Sequence, residues 1–212
     1  MKIVQASFEI EPINGRAPDG IAILKEIERA GRTCYKSEWK ITEDSYLAFA
    51  KKLIASGHYS VLDHRFMTVR FITDRGVTHE LVRHRLCAFS QESTRYCSYD
   101  KDQFGKEITV IDPRNHMDET MYGFWKTAMK MCESLYLSLA GIHCPPQIAR
   151  SVLPNSLKTE IVTTADLTEW RHIFKLRTSK KAHPQMRELM VPLLAEFKRI
   201  IPVIFDDIKV EE

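Results

Sequence analysis

A dense group of charged and hydroxyl side chains lies near the middle of the chain, in the stretch RHRLCAFSQESTRY that runs from Arg83 to Tyr96. In an extended segment, alternate side chains point the same way, so Ser93 and Arg95 would share one face. A hydroxyl beside a guanidinium suits a phosphate, which accepts charge-assisted hydrogen bonds from arginine and a further bond from a neutral donor. The stretch therefore predicts a site for a phosphorylated ligand.

Arg83, His84 and Arg85 are consecutive, which limits how they could act together. On a helix they would fan out by about 100° per residue and could not face a single ligand. They could contact ligands together only at a helix end. The alternative is a solvated surface on which the arginines pair with Glu80 and Glu92, and such surface pairs contribute little stability.

Other chemistries find less support in the residue pattern. His58, His64, His79, His84 and His116 form no pair or cluster with the spacing of metal ligands, so no metal site is predicted. Ser93 is not part of a G-x-S-x-G turn, and the chain has neither a P-loop nor a G-x-G-x-x-G motif. Cys87 and Cys97 flank the arginines, where a lowered thiol pKa is conceivable, although a buried, unreactive cysteine is the more frequent case.

Composition narrows the class of protein. A net charge of only +3 over 212 residues argues against general nucleic-acid binding. No apolar run approaches the roughly 18 residues that a membrane span needs, and the first residues lack a secretory signal pattern. The odd number of cysteines, five, makes a disulfide framework unexpected. We therefore expect a cytoplasmic protein with no nucleic-acid or membrane partner.

The hydrophobic pattern predicts a mixture of strands and helices that would position these residues. Strands are expected in KIVQASFEI at the start and over 66–73, 107–111 and 159–164. Helices are expected over 20–31, 42–56 with Thr42 as cap, 77–86 after a turn at 74–76, 118–141, 145–153, 166–177 with Asp166 as cap, and 186–200. Residues 90–96 are expected to be irregular or extended.

Apolar residues at helical spacing suggest which faces are buried. In the helix after residue 77, Val77, Leu81 and Val82 are expected to face inward. The long helix carries a stripe that could be core or interface, formed by Met121, Trp125, Ala128, Cys132, Leu135 and Leu139. Because strands and helices do not alternate strictly, the expected fold class is α+β in a single domain, 1–212, with a mainly antiparallel sheet flanked by helices.

Several spaced motifs resemble those of the flavin-dependent thymidylate synthases. Arg83-His84-Arg85 followed after seven residues by Ser93 matches the RHR-x7-S signature of that family. Upstream, Gly57-His58 with Ser60, Asp63 and His64 is similar to the family's GH-x-[ST]-x-x-[DE]-H segment. An early block at 32–35, and later blocks around Arg150 and Arg177, follow in the expected order over nearly the whole chain.

The resemblance implies a fold, a reaction and a set of ligands. The family fold would bind FAD and convert dUMP to dTMP, with methylenetetrahydrofolate as the carbon donor and NADPH as the reductant. No protein nucleophile would be needed, because the cofactor supplies the redox chemistry. The assembly would be a homotetramer whose active sites are shared between subunits.

The resemblance also assigns roles to individual residues. Flavin contacts would come from Ser60, Asp63, Arg83, His84, Arg85, Gln91, Asp166, Thr168 and His172. Contacts to dUMP would come from Glu80, Arg83, Gln91, Glu92, Ser93, Thr94, Arg95, Arg150 and Arg177. Arg177 would also be catalytic, by stabilising the N3-ionised pyrimidine. Glu80, Ala88, Asp166, Thr168 and His172 depart from the residues that are common in the family.

Two further hypotheses belong to other classes of protein. One is a non-catalytic nucleotide-binding domain that carries the same arginine cluster, and the other is a basic surface that binds RNA. A phosphate-only binder would not need Arg177 or the segment from Gly57 to Asp63. An RNA surface would interleave aromatic residues with the basic ones, and only Phe89, Tyr96 and Tyr99 are near.

Overall fold

The computed structural model describes residues 1–211, and over this range the chain alternates short strands with helices. The strands are β1 (Lys2–Val4), β2 (Ser7–Ile10), β3 (Phe66–Asp74), β4 (Ala88–Gln91), β5 (Thr109–Ile111) and β6 (Lys158–Asp166). The helices are α1 (Gly20–Thr33), α2 (Ser45–Ser56), α3 (Arg75–Leu81), α4 (Glu119–Gly141), α5 (Pro146–Ala149), α6 (Leu167–Arg177) and α7 (Pro184–Ile200). Within this range no helix is long and apolar enough to cross a membrane.

The strands form two sheets. One has the order β2-β3-β6-β4, and the other pairs β1 with β5 in parallel, with Lys2 opposite Thr109. The single strand expected from KIVQASFEI is therefore wrong: the chain breaks at 5–6 because its two halves join different sheets. The α+β fold class with an antiparallel sheet is confirmed.

The chain forms two compact units, each made of segments that alternate along the sequence. The first unit comprises Met1–Phe8, Arg70–Arg83 and Phe89–Val162. The second comprises Glu9–Val69, His84–Ala88 and the chain from Thr163 onward. The boundary at 83–84 falls inside the arginine cluster, so the residues predicted to form one site are distributed over both units.

The first unit is built around the inward face of α4. Tyr136 on this helix accepts a hydrogen bond from the backbone N–H of Tyr99, at 3.2 Å. Ile108, Val110 and Met129 are buried in the same cluster. This core holds the segment that follows the arginine cluster against the long helix.

The second unit is built around aromatic rings on α6 and α7. Trp170, Phe174 and Phe197 pack with centroids 5.1–5.6 Å apart. Trp170 also donates a hydrogen bond from its indole nitrogen to the carbonyl of Met67, at 3.0 Å. Gly20 at the start of α1 allows a close helix approach, since a Cβ there would lie 1.7 Å from the carbonyl oxygen of Ile200. These contacts fix α6, which carries three of the predicted site residues, Thr168, His172 and Arg177, and is capped by a fourth, Asp166.

Helix ends differ most from the sequence expectations. The expected turn at 74–76 is wrong, because Asp74 caps α3 by accepting a hydrogen bond from the Val77 backbone, at 2.7 Å. The helix ends at Leu81, which leaves Val82 40% exposed and Arg83 beyond the last turn.

The first two helices also differ at their ends. Thr42 is not a cap; α2 begins three residues later, at Ser45. α1 continues through Gly31 because its missing side chain leaves room for the Phe49 ring, which a Cβ would approach to 2.7 Å.

Candidate functional site

Helix α6 presents the side chains of the first cluster. Asp166 caps the helix by accepting a hydrogen bond from the Glu169 backbone N–H, at 2.7 Å, as the sequence predicted for its cap. Nδ1 of His84 lies 3.2 Å from Oε1 of Glu169, and Nε of Arg177 lies 3.0 Å from Nε2 of His84. The His172 ring stands edge-on to His84 with centroids 5.6 Å apart. Three predicted residues, His84, His172 and Arg177, are thus in contact, together with Glu169, which was not predicted from the sequence.

The hydrogen bonds of His84 determine where its proton lies. The Nε–H of Arg177 can only donate, so Nε2 of His84 must be the acceptor and carry no proton. Nδ1 then carries the proton and donates a hydrogen bond to the carboxylate of Glu169. The result is a directed chain of hydrogen bonds from Arg177 through His84 to Glu169.

Burial and nearby charge keep this imidazole neutral. Burial, followed by the positive charge of Arg177 and the neighbouring His172, lowers the pKa of His84 from 6.5 to about 4. The pKa of Glu169 is raised, chiefly by burial, with the negative charge of Asp166 adding to the effect and His172 opposing it. The contact between His84 and Glu169 is therefore a hydrogen bond from a neutral ring, not an ion pair between two full charges.

His84, Glu169 and His172 also offer three potential metal-ligand atoms within 4.8 Å of one another. A metal on Nδ1 of His84 would displace the proton there and leave the neutral ring protonated on Nε2. That N–H would then face the Nε–H of Arg177, so two donors would oppose each other. The observed geometry favours the hydrogen-bond chain over a metal site.

Cys87 does not have the lowered thiol pKa that the sequence left open. Burial raises its pKa to about 12, and the negative charges of Glu169 and Asp166 add to that effect. At neutral pH the thiol is protonated and is a poor nucleophile. The arginines beside it in sequence do not change this outcome, because the nearest influential charges are acidic.

A cavity of about 1130 Å³ lies within the second unit. Its walls combine the cationic side chains of Arg32, Lys40 and Lys52 with aromatic rings and hydroxyl groups. The other lining residues are Gly31, Cys34, Tyr35, Ser37, Ser45, Ala48, Phe49, Leu53, Gly57, His58, Tyr59, Ser60 and Val61. The fold thus brings together the early block at 32–35 and the segment that starts at Gly57, two motifs that the sequence could only place in order.

The remaining predicted residues of the second unit differ in their relation to this cavity. Ser60 lines the cavity, whereas Asp63 is exposed on the 3₁₀ turn Tyr59–His64 and is not part of the lining. Thr168 donates a hydrogen bond to the carbonyl of Tyr59, at 3.0 Å, and so supports one cavity wall. Arg85 is exposed in the turn that follows His84.

In the first unit, Gln91 and Glu92 are held by other side chains. The Gln91 amide donates to the hydroxyls of Thr78, at 3.0 Å, and Thr159, at 3.3 Å. Glu92 accepts hydrogen bonds on both carboxylate oxygens, from Tyr99 at 2.9 Å and from Lys158 at 3.0 Å. These contacts show that both side chains tie the segment to the fold, a role that the sequence did not predict.

These residues line a second cavity of about 500 Å³, which lies within the first unit. Lys158 bridges Glu92 and Glu160, and Glu160 also contacts Arg70 at 3.3 Å. Burial by itself would lower the pKa of Lys158, but the hydrogen bonds and charges of the two glutamates outweigh it and raise that pKa. Lys158 is therefore fully charged at neutral pH, and its charge joins the start of β6 to the segment after β4.

The segment after β4 is a turn, so of the two expected geometries, irregular and extended, the extended one is wrong for Ser93 and Arg95. The backbone N–H groups of Tyr96 and Cys97 both bond the carbonyl of Ser93, at 3.1 and 2.9 Å. The Ser93 hydroxyl accepts a hydrogen bond from the Arg95 backbone at 3.3 Å. The Arg95 guanidinium lies over the Tyr96 ring, 5.4 Å from its centroid. A turn wins here because serine bonds its own neighbouring backbone readily.

Other predicted residues of the first unit lie at helix ends. Arg150 donates to the buried hydroxyl of Thr94, at 3.4 Å, which joins two predicted substrate residues that are 56 positions apart. Glu80 is in the last turn of α3, and the backbone N–H of Arg83 bonds its carbonyl. Arg83 is exposed just after the helix, as expected for a charge at a helix end.

Comparison with known proteins agrees with this architecture. The family model described as thymidylate synthase complementing protein matches residues 22–203. A flavin-dependent thymidylate synthase of Geobacter sulfurreducens is 34% identical over 185 residues, which cover 84% of this chain and 78% of that protein. The corresponding protein of Pyrococcus abyssi is 33% identical, with 83% and 75% covered.

A solved structure shows the same fold. The crystal structure of the UMP/dUMP methylase PolB from Streptomyces cacaoi, bound with 5-Br dUMP, superposes with a TM-score of 0.78. The superposition covers 97% of this chain and 96% of that one, at 17% identity.

These matches define an enzyme rather than a nucleotide-binding module or an RNA surface. The chain belongs to the flavin-dependent thymidylate synthase family.

Proposed function

We propose that this enzyme methylates dUMP to dTMP in the synthesis of thymidylate. Methylenetetrahydrofolate would supply the one-carbon unit, and NADPH would supply the two electrons that convert a methylene into a methyl group. The other products would be tetrahydrofolate and NADP⁺. Relatives named flavin-dependent thymidylate synthase support the flavin and the reaction type, and the dUMP methylase of the same fold supports the substrate.

The cofactor we propose is FAD, and the cavity of the second unit carries this proposal. A dinucleotide flavin has a diphosphate, a sugar and two flat ring systems. Lys40 and Lys52 offer charge for the diphosphate, and the hydroxyl of Ser60 offers a neutral donor. Arg32 and Ser45 also line the cavity, where both are held by the buried carboxylate of Glu28. Tyr35, Phe49 and Tyr59 in the same walls offer apolar faces for the rings. When bound, the flavin would supply the hydride chemistry.

The chain's own residues would bind and orient the ligands. In the second unit, the proposed flavin residues are Ser60, Asp63, His84, Arg85, Asp166, Thr168 and His172. Arg83 and Gln91, which belong to the first unit, stay proposed flavin residues on the strength of the sequence motifs alone. Asp63 is the weakest member by geometry, because it does not line the cavity. No serine or cysteine is needed as a nucleophile, which agrees with the protonated thiol of Cys87.

For dUMP, the proposed contacts combine a phosphate turn with distant arginines. Ser93, Thr94 and Arg95 form the turn after β4, and Arg150 already contacts it through Thr94. Within the turn the N–H groups of Arg95, Tyr96 and Cys97 already bond Ser93, so a phosphate would be held by the hydroxyl groups and the Arg95 guanidinium. Glu80, Arg83, Gln91 and Glu92 remain proposed substrate contacts, although both carboxylate oxygens of Glu92 are engaged.

Arg177 is the proposed catalytic residue. A guanidinium cation beside the pyrimidine would stabilise negative charge that develops on N3 and so make C5 a better nucleophile. Its bond to His84 fixes one edge of the planar group, and a planar group held at one edge has a defined orientation.

Reconstitution tests the function directly. The purified protein should take up FAD, acquire a yellow colour and convert dUMP to dTMP when methylenetetrahydrofolate and NADPH are supplied. Omission of FAD, folate or NADPH should each abolish product formation as measured by chromatography. A protein that stays colourless with excess FAD would refute the proposal.

The pose of dUMP is tested in the same preparation. Arg95→Ala should raise the dUMP dissociation constant by at least about tenfold, about 1.4 kcal/mol. Lys130→Ala, which removes an exposed cation from α4, is the matched control and should leave the constant unchanged.

We also propose a homotetramer with shared active sites, built on one domain that spans 1–212. Support comes from the outer face of α4, where Met121, Phe124, Met131 and Leu135 are between 56% and 74% exposed. A face with several large exposed apolar side chains is typical of an interaction surface. A cytoplasmic location stays a prediction from the sequence.

A further inference from the structure

We propose that Glu169 is a positioning residue for the reaction, because it fixes the tautomer of His84 that holds the guanidinium of Arg177. The inference rests on the proposed function insofar as Arg177 acts on the pyrimidine. Its structural part, the tautomer of His84, stands on the geometry of the second unit alone.

Glu169 is itself held rigidly. Its backbone N–H is bonded to the capping carboxylate of Asp166, and its side chain is only 6% exposed. His84 is 5% exposed, so neither partner of the 3.2 Å contact can turn to water for an alternative hydrogen bond. A buried donor or acceptor without a hydrogen bond costs free energy, so this contact determines which nitrogen of the His84 ring carries the proton.

The contact selects one of two neutral forms of the ring. A neutral imidazole carries its proton on either Nδ1 or Nε2, and the partner on one side decides which nitrogen it is. The carboxylate of Glu169 needs a donor on Nδ1, and this leaves Nε2 as an acceptor. Without the carboxylate, a proton on Nδ1 would be buried with no acceptor, and only the bond from Arg177 would still favour that form. A proton on Nε2 would instead oppose the Nε–H of Arg177 and release the guanidinium.

The consequence reaches Arg177 through its shape. The bond to His84 uses the Nε–H, one of five N–H donors in a rigid plane, and leaves the four terminal N–H donors outside this contact. Holding Nε sets the direction in which the terminal nitrogens project. Glu169 therefore orients Arg177 indirectly, through the imidazole of His84, which stays neutral.

Two substitutions separate this role from a general structural one. Glu169→Gln keeps a carbonyl oxygen that can accept from Nδ1–H, whereas Glu169→Met keeps the length of the side chain but has no comparable acceptor. In flavin-loaded protein labelled with ¹⁵N-histidine, the ring nitrogens of His84 report the tautomer, with His84→Gln identifying the signals. His172→Asn is a control for the tautomer only, since it removes the neighbouring ring and leaves both hydrogen bonds.

We expect the Nδ1–H tautomer in the unsubstituted protein, in Glu169→Gln and in His172→Asn, and its loss in Glu169→Met. An Nε2–H tautomer in the unsubstituted protein overturns the inference, even if Glu169→Met does not fold. Stoichiometric zinc in the purified protein would also overturn it, because a metal on His84 would replace the proton.

Turnover then tests the effect on Arg177. Glu169→Met should lower kcat/KM for dUMP by at least about tenfold, the factor expected for losing one charge-assisted hydrogen bond, with flavin content unchanged. Glu169→Gln should restore it to within about threefold. Equal losses in both variants would mean that the charge, and not the tautomer, matters, and would overturn the positioning role. Because the tautomer is measured without turnover, an inactive unsubstituted enzyme refutes the proposed function and leaves this inference separately decided.

Discussion

At the scale of single residues, His84 couples the candidate site to pH. Its folded pKa of about 4 lies below the usual 6.5, so the unfolded chain binds a proton more readily than the folded one between these values. The contribution of the neutral His84 ring to the free energy of unfolding should therefore be complete above about pH 6.5, and it should fall as the pH drops towards 4. At about 1.4 kcal/mol per pKa unit, the shift from 6.5 to about 4 corresponds to a full loss on the order of 3–4 kcal/mol due to His84.

Urea unfolding at several pH values between 7.5 and 4.5 measures this loss, and His84→Gln isolates it. Glu169 has a raised pKa and works in the opposite sense, gaining stability as it becomes protonated at low pH. The slope of the unsubstituted protein alone would mix both groups, so the difference between the two proteins is the relevant quantity. A difference that does not change with pH would show that His84 is not buried as a neutral ring.

The residues at this site show how far the sequence could lead. His84 and Arg177 were predicted individually, from a motif and from a later block, but their 3.0 Å contact joins positions 93 apart and belongs to tertiary structure. Glu169 escaped prediction because it matches no motif. The one available signal was its position three residues before His172 on a helix whose cap, Asp166, was correctly predicted.

At the scale of elements, the turn after β4 depends on the first residue of β6. Lys158 neutralises Glu92 in a half-buried position, and Glu92 begins the proposed phosphate turn. Lys158→Met should leave Glu92 without its ionic partner and loosen the turn. We expect a loss of about 1–2 kcal/mol in the free energy of unfolding and a dUMP dissociation constant raised by roughly three- to tenfold.

A matched ion pair in the same unit provides the control. Lys106 and Asp102 lie 2.9 Å apart, but both side chains are mostly exposed. Lys106→Met should change neither stability nor dUMP binding measurably, because exposed pairs contribute little. If the two variants behaved alike in calorimetric titration with dUMP, Lys158 would have no special part in holding the turn.

Element types followed from the sequence better than element ends. The strand over 66–73 and the cap Asp166 were correctly predicted, because alternation and capping are local signals. Asp74 was misassigned to a turn, since an aspartate two residues before a glycine fits a turn and a helix cap equally well. At Ser93 the choice between irregular and extended could not be made, because the backbone hydrogen bonds of the turn come from residues three and four positions later, which alternation does not reveal.

At the scale of the whole molecule, helix α4 shows what periodicity alone cannot decide. The helix carries two apolar rows, and the inward one is formed by Tyr122, Met129 and Tyr136, seven residues apart. The predicted stripe straddles the two rows, because Trp125 and Leu139 pack against the core whereas Met121 and Leu135 are exposed. Sequence spacing marks both rows as apolar but does not say which one the chain covers by itself.

The outer row should therefore be covered by a second copy if the proposed tetramer forms. Phe124 is 74% exposed and Met131 is 61% exposed, and both side chains are apolar, so the same face of a second copy could pack against them. A buried glutamate in an apolar contact costs several kcal/mol unless it is paired. Phe124→Glu and Met131→Glu should each shift the mass measured by light scattering from a tetramer to a smaller species. Lys130→Glu, a neighbouring exposed position on the same helix, should leave the mass unchanged.

If Phe124→Glu and Met131→Glu both kept the mass of the unsubstituted protein, this face would not be an assembly surface. Dissociation with a parallel loss of turnover, while each subunit remains folded by circular dichroism, would show that the active site needs residues from more than one copy.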